Sequence, residues 1–173
     1  MTNIKQLARP LSRVKIRDFA KIIRRSIDAE NTPYFDVIAF LEIVMPIVDK
    51  DFEYIYLPKN EMRGCYGMAY PEEHRIYIRE DVYDGAINNI GRDRFTIMHE
   101  IAHYFLHTKD NLILTRLAPH EKIPKYYDLE WQANTLAAET LVFLPLIKNK
   151  SIQEIITTCA VSYEVAKIQK KFS

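Results

Sequence analysis

His99-Glu100-Ile101-Ala102-His103 lies inside a stretch that its apolar spacing predicts to be helical from about Arg94 to His107. On a helix, residues four apart stand one above the other on one face, so His99 and His103 can offer imidazole nitrogens to a single ion. Glu100 is rotated by about 100° from His99, and its carboxylate can reach a water at that ion without having to bind the ion itself. Two imidazole ligands, an open position and an adjacent carboxylate base are what zinc-dependent hydrolysis of an amide requires.

The helix around this box has its apolar seam in Phe95, Met98, Ala102 and Phe105. Gly91-Arg92-Asp93 breaks the chain before it, with Asp93 as the expected N-cap. His107 falls on the face of His103 but about 6 Å further along the axis, too far for three ligands on one straight helix. It reads as structural. A third protein ligand must come from elsewhere, and His120, Glu121, Asp128, Glu130 and Glu139 are the downstream candidates. Residues 128–141 read as a capped helix ended by Pro145. With Glu130 facing the ion, Ala133, Asn134 and Ala137 follow on the same face, and the two alanines allow close approach to the box helix. Asn134 is then placed either to hydrogen-bond a ligand or to find a backbone partner in the packing. Glu139 lies about 180° around the helix from Glu130, which selects Glu130.

Upstream, Ser12 caps a helix over residues 12–28 whose apolar face is Ile16, Phe19, Ala20, Ile23 and Ile27. Arg13, Arg17, Lys21, Arg24 and Arg25 form the opposite face, expected to be solvated because no aromatic residue interleaves with the charges. Thr32-Pro33 signals the start of a second, mostly apolar helix over residues 34–45, stopped or bent at Pro46. From Phe52 the period changes to two, and three strands are predicted: Phe52 to Tyr56, Gly64 to Tyr70, and Arg75 to Arg79. The third is nearest the box helix in sequence and is expected at a sheet edge beside the cleft, where an extended substrate can pair with it. Near the C-terminus, Ser151 and Glu154 make a capping box and Ser162 a second start, giving two short helices expected to pack on the rest of the chain.

The 173 residues suit one domain, and 24 basic against 23 acidic residues leave a net charge of +1 with no pull toward nucleic acid or membrane. Two distant cysteines, Cys65 and Cys159, make no metal or redox motif and fit a reducing cytosol, so a cytoplasmic location is expected. Residues 37–48, the greasiest run, are interrupted by Glu42 and Pro46 and too short to span a bilayer.

Arg94 to His107, followed by Glu130 to Pro145 with its Glu-Trp-Gln-Ala-Asn opening, resembles the ImmA/IrrE family of metallo-endopeptidases. The likeness is specific over residues 64–145 and looser at both ends. It implies an α+β, zincin-like fold, with a small mixed or antiparallel sheet packed on the box helix. The expected organisation is N-terminal helices over 1–50, a metallopeptidase core over 51–145 and C-terminal helices over 146–173. By resemblance His99, His103 and Glu130 bind zinc, Glu100 is the catalytic base, and the substrate is a phage-type helix-turn-helix repressor whose cleavage relieves repression. No direct contact with nucleic acid is expected. Tyr70, Tyr77, Tyr104, His120 and Tyr126 are chemically able to stabilise the oxyanion. Two other readings stay open: a zinc-binding sensor whose proteolysis is absent or triggered, and a module that binds DNA or a partner.

Overall fold

In the computed structural model, which describes residues 4–116 and 122–173, the chain opens with strand β1 (Ile4–Ala8) and helix α1 (Arg13–Arg25). His120 and Glu121, two of the ligand candidates, lie outside the described residues. Ser12 caps α1 by accepting from the Lys15 amide, and Ile16, Ala20 and Ile23 are buried. The basic face departs from expectation. Arg24 is fully buried, its guanidinium spread over the carbonyls of Ala29, Thr32 and Thr140, while Arg13 and Arg17 both reach Glu139. A guanidinium offers five donors in a plane, so it can serve several buried carbonyls at once, which a charge count along one helix does not reveal.

The second helix starts later than Thr32. Asp36 is its N-cap, accepting from the Ala39 amide, and the Thr32 carbonyl serves Arg24 instead. It runs as α2 (Val37–Ala39), a π-helical turn (Phe40–Val44) and α3 (Met45–Val48), continuing through Pro46. Pro46 has no N–H for an i−4 carbonyl and its ring would crowd that carbonyl. The widened turn just before it accommodates both facts, as π-bulges do.

Strands β2 (Glu53–Leu57), β3 (Gly67–Tyr70) and β4 (Arg75–Arg79) form a mixed sheet in the order β2-β4-β3, with β2 parallel and β3 antiparallel to β4. The strand beside the cleft is therefore β3, and β4, expected at the edge, is the centre. The periodicity of β4 was a sound guide to burial, since Ile76 and Ile78 are fully buried. Alternation says which face is inside but not which edge is free. Helix α4 (Glu80–Ile87) has no side-chain N-cap and contains Gly85, so it has no strong start signal in the sequence.

Helix α5 (Gly91–Leu106) carries the box. It begins at Gly91 with Ile90 as N-cap, and Asp93 is instead a buried residue of its first turn. Gly91 is not a chain breaker. A Cβ there would lie 2.5 Å from the backbone at Val161 and Ser162, so the glycine permits α5 to start against the C-terminal helices. Strand β5 (Leu112–Arg116) returns to pair antiparallel with β1. Helix α6 (Leu129–Leu141) is capped by Asp128, which accepts from the Trp131 amide, and packs along α5; Ala102 of α5 and Ala133 and Ala137 of α6 are fully buried. After α7 (Leu144–Ile147), helices α8 (Ile152–Cys159) and α9 (Tyr163–Lys170) bury Ile155, Cys159 and Ala166 in a core that also includes Ile16 of α1. The Ser151–Glu154 capping box is formed. Among the described residues no helix is long and apolar enough to cross a membrane.

Candidate active site

The helical period brings His99 and His103 together, and the packing of α6 along α5 brings Glu130 to them. The Nε2 atoms of the two imidazoles are 3.0 Å apart, and Glu130 oxygens lie 3.4 Å from His99 Nε2 and 3.2 Å from His103 Nε2. A tetrahedral ion with ligand distances near 2.0–2.1 Å needs donors separated by about 3.3 Å. The three separations bracket that value, and the donor set of two imidazoles and one carboxylate suits a small divalent cation. Among the described residues these three form the group of ligand atoms lying within 4.8 Å of one another. Asp128 caps α6 and Glu139 is on its far side, so neither alternative candidate joins them.

Burial shapes the charges. It lowers the pKa of His99, an effect that Glu130 and Asn134 partly counter, and it pushes His103 down to about 3 with help from the neighbouring imidazoles. Both rings are thus neutral near pH 7, with a lone pair available for a cation. Asn134 lies near enough to favour protonated His99 but not in bonding geometry, for His99 Nδ1 is buried with no hydrogen-bond partner among the described residues. His107 is not a fourth ligand: its Nδ1 lies 2.8 Å from Nδ1 of His103 and its Nε2 3.2 Å from Oε1 of Gln132.

Glu100 occupies the wall between α5 and β3. Its carboxyl is pushed up to about 7 by burial first and the charge of Glu130 second, while the Ala69 amide of β3 holds it from rising further. Gly67 makes this approach possible. A Cβ at that position would be 2.5 Å from Cγ of Glu100, so the Glu100 side chain can lie against β3 in this position because residue 67 has no side chain.

These groups line a cleft of about 670 Å³ whose other wall is residues 65–70. Of the tyrosines, Tyr70 lines it, and Tyr66, which the sequence did not single out, lines it too. Tyr66 is marked only by tertiary contacts, the guanidinium groups of Arg79 and Arg92 lying over its ring. Tyr104 points away, its hydroxyl donating to Asp49 at 2.5 Å. Tyr77 packs edge-on against Tyr70, and Tyr126 against Tyr127, outside the cleft lining. His120 is not among the described residues.

A helix with paired imidazoles, a carboxylate from the following helix and a glutamate against the edge of a small mixed sheet match a metallopeptidase of the zincin type. The IrrE N-terminal-like domain family matches residues 86–169, a span holding both helices of the site. This match supports the ImmA/IrrE family of metallopeptidases for the segment that holds the site. No curated protein matches the chain.

Proposed function

We propose that the protein is a zinc-dependent endopeptidase that cuts a helix-turn-helix repressor and so relieves repression. The observation that carries the catalytic part is the set of three donors at tetrahedral spacing with Glu100 beside them. Zinc held by His99, His103 and Glu130 would supply Lewis acidity toward the scissile carbonyl and toward water. The chain's own part is proton transfer and positioning. Glu100, its pKa raised toward neutrality, takes a proton from the attacking water and returns it to the leaving nitrogen. The free edge of β3 offers backbone pairing to an extended peptide, and the two tyrosines of the cleft, Tyr66 and Tyr70, are the candidates for the oxyanion.

A protein substrate fits an open cleft flanked by a strand edge better than a small molecule, which is usually enclosed. The repressor assignment rests on the family resemblance. The DNA-binding reading is weakened by Arg13, Arg17 and Arg24, whose charges are spent inside the fold. The test is to incubate the zinc-loaded protein with phage-type helix-turn-helix repressors, taking first any small regulator of that kind found in a neighbouring reading frame, and to map products by mass spectrometry. One internal cut, absent with Glu100→Gln although zinc remains bound, is expected. An intact regulator would leave the zinc-sensor reading in its place, and equal cutting by Glu100→Gln would remove Glu100 as base.

A further inference from the structure

The hydrogen bonds behind His103 admit one arrangement of protons. Gln132, fully buried in the first turn of α6, places Nε2 2.8 Å from the carbonyl oxygens of both Arg9 and Tyr126. Carbonyls only accept, so that end of Gln132 is its NH2 group, with one hydrogen for each carbonyl. Oε1 therefore faces Nε2 of His107 at 3.2 Å and accepts from it. His107 is buried, and its ring nitrogens face an amide oxygen and an imidazole rather than a carboxylate, so it sits there as a neutral imidazole with one N–H. With its hydrogen on Nε2, His107 has a bare Nδ1, which lies 2.8 Å from Nδ1 of His103 and can only accept. The single hydrogen of His103 is then on Nδ1, and its Nε2 turns a lone pair toward Glu130 and His99. His99 has no such chain, its Nδ1 being without a partner among the described residues.

We propose that Gln132 and His107 are positioning residues that lock His103 in its Nδ1–H tautomer and so present Nε2 to the cation. The inference rests on the reading of His103 as a ligand. It differs from the usual outer partner of a ligand histidine, a carboxylate, carbonyl or water. Here the acceptor is a second imidazole, which has a free lone pair only because a glutamine has fixed its own tautomer. The glutamine in turn is oriented by two carbonyls of segments outside the site, so the alignment of the ligand depends on how residues 9 and 126 dock against α6. The two residues also use the same two helices as the ligands. His107 is one turn beyond His103, and Gln132 is two positions beyond Glu130.

Long-range proton–nitrogen NMR of the full chain, metal-free and near neutral pH, reads the tautomers directly. The expected spectrum has His103 protonated on Nδ1 and bare on Nε2, with His107 the reverse. A His103 protonated on Nε2, or exchanging between tautomers, would overturn the proposal. Zinc competition against a chromophoric chelator gives the second arm. His107→Leu should lower affinity about 10- to 100-fold, the range for a lost outer partner. His107→Asn, whose Oδ1 replaces Nδ1 as acceptor, should restore most of it. Equal losses in the two variants would mean that His107 acts only by filling space. If neither variant folds, the wild-type spectrum still decides. Expected tautomers in a protein that takes up no zinc would end the ligand reading but not the lock, whereas zinc uptake with a reversed His103 would end the lock alone.

Discussion

Glu130 and Glu139 stand nine positions apart on α6, in opposite surroundings. Glu130 keeps 69% of its side chain exposed and faces neutral imidazoles, with no arginine or lysine paired to it among the described residues. Glu139 is fully buried and accepts from Arg13 Nε at 2.7 Å and Arg17 Nε at 3.0 Å. One carboxylate has a cation built into the fold and the other has a place where a cation fits. The difference shows how one helix can serve both stability and chemistry: the half-turn between the two residues separates the charge used for holding α1 from the charge left open for a ligand. Glu100 falls between them, with no cationic partner among the described residues: burial on α5 first and the charge of Glu130 second hold its proton near neutrality.

The largest effect should come from breaking the buried side of this comparison. Glu139→Gln leaves two guanidinium groups without their counter-charge and should cost about 3–5 kcal/mol in urea unfolding, with zinc affinity of the folded fraction little changed. Glu130→Gln should do the opposite. Zinc affinity should fall by more than about 100-fold, beyond the loss expected for an outer partner, while the unfolding free energy of the metal-free protein moves by no more than about 0.5 kcal/mol. Were both variants to lose stability equally, the division of labour along α6 would be wrong.

A smaller loss is expected at the wall shared with Glu100. Gly67→Ala puts a methyl 2.5 Å from Cγ of Glu100, and overpacking of this kind costs about 1–3 kcal/mol. Because the displaced group is the proposed base, peptidase turnover should fall further than the stability change implies.

The smallest effect is in the pH dependence of the metal-free protein. Glu100, raised from 4.5 to about 7, binds its proton more tightly when folded, so it adds stability as pH falls through 7 toward 4.5. His103, lowered from 6.5 to about 3, works the other way: unfolding takes up its proton below 6.5, and stability is lost as pH falls through that range. In the wild type the two oppose each other between about 6.5 and 4.5. Glu100→Gln removes one of them, so its stability should fall with acidification more steeply, by about 1 kcal/mol per pH unit. Urea midpoints from pH 8 to 4.5 in the presence of a chelator would show it. Parallel curves for the two proteins would mean that Glu100 is not held near neutrality.

Much of the site was legible because its information is local. His99, Glu100 and His103 are placed by the pitch of one helix, and Glu130 was separated from Glu139 by that same pitch on another. The capping residues Ser12, Asp128, Ser151 and Ser162 also act within three residues of themselves, and all four cap as expected. What escaped the sequence depends on distant partners. The fate of Arg13 and Arg17 is decided by a carboxylate more than a hundred residues away. The β1–β5 pairing joins segments equally remote, and the free edge of β3 is set by which strand occupies the middle.

The sequence alone determined the donor types, their phase on two helices and the glutamate beside them, since periodicity of an amphipathic helix is a property of neighbouring residues. Only the tertiary structure decided which arginines neutralise Glu139, that β3 rather than β4 borders the cleft, that Gly67 makes room for Glu100, and that His107 and Gln132 stand behind His103. Apart from the single helical turn from His103 to His107, each of these is a contact between segments far apart in the chain. Such contacts are selected by the packing of the whole core, where volume, charge and hydrogen bonds must be satisfied together.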